Sequence, residues 1–301
     1  MPVNYHGEEE AEVRVMRGLR LAVELAILAL VMEAAGALLS RSLALTVDAV
    51  HDIPDILAFG VSWAALRATS RGTTDELTFG AHRFEVFAGL LNASLVLGTG
   101  VVFGYESLTS LLHHTLFAGP VNPLWILAVA LPTLLLRGTT TAVLRRIPGK
   151  TRDLNLRSVI LHLLGDFAIA GVLLIVGIAL LLRPPLGWID ALGALAISVV
   201  LVYASLPLFR EGWEVITERA PRGVSVDAIT QSALAVPGVS GVHDVHVWSV
   251  CSTLLCMTAH VGVEDMSLRD SAEVTASIRR KLEDQFGILH ATIEIEVEPR
   301  T

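Results

Sequence analysis

Two stretches of this chain place histidine and aspartate four residues apart in strongly apolar surroundings. They are His51 and Asp55 in "LTVDAVHDIPDILAFG", and His162 and Asp166 in "SVILHLLGDFAIAG". On a helix turning about 100° per residue, positions i and i+4 stack on one face. Each pair therefore sets an imidazole beside a carboxylate. Asp48 and Asp52 share the stripe of His51 and Asp55, all four falling within an arc of about 100°. A charge at mid-bilayer costs about 2.5–3.5 kcal/mol on insertion scales, so these groups need partners, and Arg137 is the one basic residue of the spans placed to be one. A structural ion-pair cluster is one reading. A cation supplied from outside fits better, because two imidazoles and two carboxylates on facing helices are the ligand types that zinc takes in tetrahedral geometry. Asp48 is then expected to orient His51 through its other ring nitrogen. Asp52 has three open roles: taking a proton, pairing with Arg137, or lining a watery approach. Pro54, inside the stripe, removes a backbone hydrogen bond and predicts a loosened turn.

The elements that must position these groups follow from composition. Charged residues are 17% of the 301, mean hydropathy is +0.62 and 53% of residues are hydrophobic, against about 25% charged in an ordinary soluble domain. A membrane helix needs about 20 apolar residues, and six stretches qualify: 16–39, 42–66, 84–112, 123–144, 156–182 and 188–209. The first follows a charged segment without a small-residue cleavage site, which predicts a retained span rather than a signal peptide. Basic residues gather before span one (Arg14, Arg17, Arg20), between two and three (Arg67, Arg71, Arg83), between four and five (Arg145, Arg146, Lys150, Arg152, Arg157) and after six (Arg210). The opposite loops hold Arg41 and Arg183. Both termini are therefore expected in the cytoplasm. The organisation read here is a cytoplasmic segment 1–15, a six-helix membrane bundle 16–210 and a cytoplasmic domain 211–301.

The tail reads helix, strand, strand, helix, strand, a small α/β sandwich, with Ser225 as an N-cap. It carries seven of the eight net negative charges, 7 basic against 14 acidic residues over 211–301. That excludes nucleic-acid binding, which calls for a basic surface. Its histidines, His243, His246, His260 and His290, crowd the strand ends beside Glu294 and Glu296. Cys251 and Cys256 are too few for a disulfide framework; they read as small apolar strand residues or as a thiolate ligand. In the loop after span two, Asp75, Glu76 and His82 read as a solvated loop or as a weak site where metal first docks.

These motifs resemble the cation diffusion facilitator family, of the zinc-exporter-like branch. "SLALTVDAVHDIPDILA" resembles its second span, "TFGAHRFEVFAGLLNA" the opening of the third, "LRSVILHLLGDFAIAGVLL" the fifth, and "VHDVHVWSV" with "AHVGV" the start of its cytoplasmic domain. The resemblance implies a homodimeric exporter of divalent metal, most often zinc and also cadmium or cobalt, driven by opposing protons through alternating access. It implies a six-helix bundle with a metallochaperone-like tail, in a prokaryotic plasma membrane. It carries the transport site onto His51, Asp55, His162 and Asp166. For a regulatory zinc site in the tail it points to His243, His260 and Glu296, with His290 and Glu294 as further candidates. Asp52, Pro54 and Arg137 depart from the family's usual residues.

Two rivals compete. A membrane metallo-hydrolase needs an open metal position and a general base, but H-E-x-x-H does not occur in the sequence and four ligands fill a tetrahedral ion. A membrane-anchored metal sensor would need no ligands in its spans.

Overall fold

The computed structural model describes residues 24–69, 75, 77–80, 82–113, 119–145, 154–183, 186–251 and 254–297, side chains at 58–59, 61–69, 143–145 and 154–163 excepted. The expected segment 1–15, Arg71, Glu76, Arg146, Lys150 and Arg152 lie outside the described residues, and so does the side chain of His162.

Helices stand at all six expected places: α1 over 24–40, α2 Leu43–Thr69, α3 His82–His113, α4 Pro123–Arg145, α5 Leu154–Leu182 and α6 Trp188–Ile216. Among the described residues four stretches are long and apolar enough to cross a membrane, His82–His113, Pro123–Ala142, Leu164–Leu182 and Trp188–Ile216. The start of the first expected span lies outside the described residues. α2 departs from a simple span because Asp48, Asp52 and Asp55 load it with acids, and it runs on through Pro54 without a break in the helix. After α6 come α7 Val226–Leu234, β1 Val239–Ser249, β2 Leu255–Val263, α8 Leu268–Phe286 and β3 Ile288–Val297. By contact the chain divides into two compact units, 1–60 with 92–206 and 61–91 with 207–301, so α2, α3 and α6 each contribute to both.

The first unit has the inverted polarity of a protein solvated by lipid. Leu38, Leu182 and Tyr203 point outward at 82%, 73% and 83% exposure, while Glu33, Asp48, Asp52, Arg137 and Asp190 are buried. Around those charges lies an apolar core of Leu43, Leu45, Val47, Val129, Ile169, Leu173, Ala194 and Ile197. Where lipid removes any hydrophobic force between helices, close approach depends on small residues. Gly138 on α4 is one: a Cβ there would come within 2.9 Å of the Phe167 ring on α5. The glycine thus lets α5 seat against α4 beside Asp166.

The start of α2 shows how its ligand-bearing stripe is anchored. A helix leaves its first backbone N–H groups without partners. Here Asp190 of α6 accepts from the N–H of Leu43 at 2.6 Å and of Ala44 at 3.4 Å, and takes the Ser42 hydroxyl proton in a further short hydrogen bond. Ser42 Oγ in turn accepts from Leu45 N–H at 3.1 Å. Asp190 is thus a cap supplied by another helix, favoured by the positive end of the α2 dipole.

The second unit contains a three-stranded sheet in the order β1-β2-β3, with β1 antiparallel to β2 and β3 parallel to β2. Ser225 and Ser267 cap α7 and α8 by accepting from Ala228 N–H and Asp270 N–H, and Gly287 ends α8 in the left-handed conformation at φ 69°. α7 and α8 cover one sheet face with Ile229, Ile278 and Leu282 against Met257, Ala259, Val261 and Ile288. Period-two alternation sends His260, Glu294 and Glu296 to the other face.

Because the Asp190 carboxylate holds the α2 start in apolar surroundings, Asp190→Ala should destabilise the protein by about 1–3 kcal/mol. Thermal unfolding in detergent micelles checks this, and an unchanged midpoint would refute the capping role.

Candidate metal centres

On α2, His51 faces α5. Its Nε2 lies 3.7 Å from Asp55 Oδ2, one turn along the same helix, and 3.6 Å from Asp166 Oδ1. His51, Asp52 and Asp55 each bring a ligand atom within 4.8 Å of the others. The amide of Asn92 on α3 reaches Asp55 Oδ1 at 3.5 Å, a contact the sequence reading did not foresee. The structure thus brings together three of the four residues proposed for transport; the fourth, His162, has its backbone in α5 one turn before Asp166. An imidazole nitrogen and two carboxylates at these separations are donors a zinc-like ion accepts.

Beside this group Arg137 of α4 reaches three acids. Its Nη2 donates to Glu33 Oε1 at 2.9 Å and to both Asp52 oxygens at 3.0 Å, and its Nη1 donates to Asp48 Oδ1 at 3.2 Å. Nη1 also donates to the backbone carbonyl of Asp166 at 3.1 Å. Among the open roles of Asp52, pairing with Arg137 is the one observed. Asp48 was expected to orient His51 and instead pairs with Arg137, since its position one turn before Asp52 turns it toward α4. Glu33 of α1 completes the set. The α2 stripe therefore has two sides, one neutralised by the protein's own cation and one facing α5.

The second candidate lies on the outer face of the sheet. His243 and His260 are paired across β1 and β2, their rings 5.4 Å apart. Glu296 reaches both, with Oε2 at 3.3 Å from His243 Nε2 and Oε1 at 2.7 Å from His260 Nδ1. These three offer ligand atoms within 4.8 Å of one another, and two imidazoles with a carboxylate fit zinc by donor type. Glu294 sits at the rim, 3.8 Å from His260 Nε2. His290 instead packs edge-on to Phe79 at 5.8 Å. The sequence reading missed Asp244. It occupies a β-bulge at φ 50°, between the register positions of His243 and His246. The bulge brings its carboxylate to 2.9 Å from His246 Nε2 and 3.7 Å from His260 Nε2. Bulges commonly re-aim a side chain in this way, and the signal was present in "HDVH" as an acid between histidines.

The third expectation joined Asp75 to His82. Asp75 is exposed and belongs to no such cluster among the described residues, whereas His82 groups with Glu85 and Cys251. The hydrogen bond with Glu296 raises the His260 pKa above its ordinary value, and the same bond lowers that of Glu296.

Two outcomes follow. Removing one partner of a buried ion pair costs about 3–5 kcal/mol, so Arg137→Ala should lower stability by that order, and folding yield and thermal unfolding with Arg137→Lys alongside measure it. In the metal-free tail, the His260 contribution is complete below about pH 6.5 and fades as pH rises through its raised value. The Glu296 contribution holds above about pH 4.5 and fades as pH falls. Glu296→Gln should move the His260 titration midpoint downward by NMR.

The cation efflux transmembrane domain matches residues 19–217, and the cytoplasmic domain of cation efflux proteins matches residues 221–298. The chain is 28% identical over 284 residues to the metal cation efflux system protein CzcD of Cupriavidus metallidurans, an alignment covering 94% of this chain and 87% of that protein. It is 25% identical over 272 residues to a cadmium, cobalt and zinc/H(+)-K(+) antiporter of Bacillus subtilis, covering 89% and 85%. It is 28% identical over 284 residues to a probable proton-coupled zinc antiporter, SLC30A3, of Bos taurus, covering 88% and 72%. With both domains matched in order along nearly its whole length, this chain is a member of the cation efflux family, the cation diffusion facilitators.

Proposed function

We propose that this integral membrane protein exports divalent metal, zinc foremost, from the cytosol in exchange for protons. Cadmium and cobalt are cargo of the same donor chemistry. The observation that carries the reading is the convergence of His51 and Asp55 on α2 with Asp166 on α5. His162 supplies the fourth ligand, one turn from Asp166. The names of the relatives, a metal cation efflux protein and antiporters of zinc with protons among the exchanged ions, support it.

Charge explains the coupling. Among the described residues of the first unit, Arg137 pairs with Glu33, Asp48 and Asp52, and two further acids, Asp55 and Asp166, stand beside His51. Such an excess of negative charge is costly away from water. It is relieved either by a divalent ion or by protons, and ligands that bind metal must give up their protons. Metal and protons therefore compete for the same side chains. Rocking of helices around the site would expose it to one side and then the other. No bond is made or broken, so the protein is a carrier and not an enzyme.

The tail cluster of His243, His260 and Glu296 serves as a regulatory zinc site, with Glu294 beside it, in a homodimer whose cytoplasmic domains pair. The termini face the cytoplasm, as the distribution of basic residues indicates. The domain limits 1–15, 16–210 and 211–301 follow from the same reading. A membrane-anchored sensor would leave the buried histidine and acids of α2 and α5 without a task.

Zinc flux into proteoliposomes with a trapped pH dye tests the proposal. Zinc movement should be matched by opposing protons, and Asp55→Ala or Asp166→Ala should reduce both to the background of empty vesicles. Flux that survives both changes would refute the site.

A further inference from the structure

The guanidinium of Arg137 is surrounded by oxygen atoms. Its Nη2 donates to Glu33 Oε1 and both oxygens of Asp52, and its Nη1 donates to Asp48 Oδ1 and the Asp166 carbonyl, all at 2.9–3.2 Å. These acceptors come from α1, α2 and α5, and the Glu33, Asp48 and Asp52 side chains are buried. Apart from the guanidinium, the three acids already have the dimensions of a metal site, with carboxylate oxygens within 4.8 Å of one another. Two further oxygens, Glu33 Oε2 and Asp48 Oδ2, are buried with no hydrogen-bond partner among the described residues. Buried acceptors of that kind are rare, and here they belong to the two acids that the guanidinium holds by one oxygen each. We propose that Glu33, Asp48 and Asp52 form a second cation site within the membrane, of hard-cation type, whose resident cation is the Arg137 guanidinium, and that Arg137 thereby bars a second divalent ion from the bundle.

Charge and donor type support this. The guanidinium returns one positive charge to three carboxylates. A divalent ion would neutralise more of the excess, so a free ion of the right size competes for this place. Oxygen donors alone suit hard cations such as manganese, magnesium and calcium, whereas His51 adds the nitrogen that suits zinc. The arginine prevails because it is covalently part of α4. Its local concentration is set by the chain and does not depend on the ions in solution.

Asp52 gives the exclusion its purpose. Both its oxygens accept from Arg137, and it also brings a ligand atom within 4.8 Å of those of His51 and Asp55. A dication among Glu33, Asp48 and Asp52 would stand next to a divalent cargo ion where little water screens the repulsion. A singly charged guanidinium in the same place repels that cargo about half as strongly. Only this step rests on the transport reading; binding of a metal to the three acids once Arg137 is removed does not.

The test counts Mn2+ bound per chain, from the free-ion electron paramagnetic resonance signal, with the full chain in lipid nanodiscs. Both proteins compared carry Asp55→Ala, which removes a transport ligand; one keeps Arg137 and the other carries Arg137→Gln. The chain with Arg137→Gln should bind one more equivalent than its parent. Added Mn2+ should also raise its unfolding temperature by more than the parent's, as an ion that binds only the folded state does. Adding Glu33→Gln should remove the extra equivalent. Equal stoichiometry with and without Arg137, or an extra equivalent that survives Glu33→Gln, overturns the proposal. An Arg137→Gln chain that stays unfolded with Mn2+ in excess overturns it too, because the metal then fails to replace the guanidinium. Zinc flux in the Asp55→Ala chain decides the transport reading separately and leaves this count untouched.

Discussion

The guanidinium of Arg137 is what allows α2 to carry its acids inside the bundle. Three carboxylates, from Glu33, Asp48 and Asp52, converge on it at 2.9–3.2 Å. Left unpaired at mid-membrane, three acids would cost about 8–10 kcal/mol on insertion scales, and whole folded proteins are stable by only about 5–15 kcal/mol. Arg137 offsets enough of that cost for the helix to exist as a packed element. It also fixes register, because the same Nη1 that meets Asp48 donates to the carbonyl of Asp166. Together the two bonds join α4, which carries the cation, to α2 and α5. A lysine at this position would bring the charge but not the fork that serves two directions at once.

With those acids satisfied from one side, the other side of α2 is left for cargo. His51 turns away from the guanidinium, with its Nε2 toward Asp55 and Asp166. The division is economical in physical terms. A permanent cation stabilises the part of the stripe that must never empty, and an exchangeable one serves the part that must. Asp52 belongs to both, bonded to Arg137 by two oxygens and also within reach of the group formed by His51 and Asp55. Asp52 therefore links the Arg137 cluster to the proposed transport site through one carboxylate.

What could be read in the sequence was whatever has a period. The H-x-x-x-D pairs announce a shared helix face, and the alternation of β3 announces which of its residues point away from the core. The capping serines are equally local. The interactions that organise the site are not of that kind. Arg137 and Asp48 are 89 residues apart and Ser42 and Asp190 are 148 apart, and no spacing rule connects such pairs. Polarity alone marked Arg137 as a residue in need of partners and left open which acids those are. Asp244 escaped notice because its role depends on a bulge that breaks the strand period. Cys251 read as a small strand residue or as a thiolate ligand without a named partner, and the fold is what brings it to His82.

The two clusters shared by sequence and structure use the same donors in different solvents, and that difference underlies the tasks we propose for them. His51, at 3% exposure, sits among carboxylates that water reaches poorly, so the balance of charge there is large and an ion or protons must always answer it. His260 and Glu296 lie on an open sheet face, where water and salt screen the same attractions. There a metal-free pair can hold itself together by one short hydrogen bond and wait. A buried site that cannot rest uncompensated suits a carrier, which must exchange one cation for another on each cycle. An exposed site that can rest suits a sensor of concentration. Solvent exposure, more than ligand identity, therefore separates the two clusters and the tasks we propose for them.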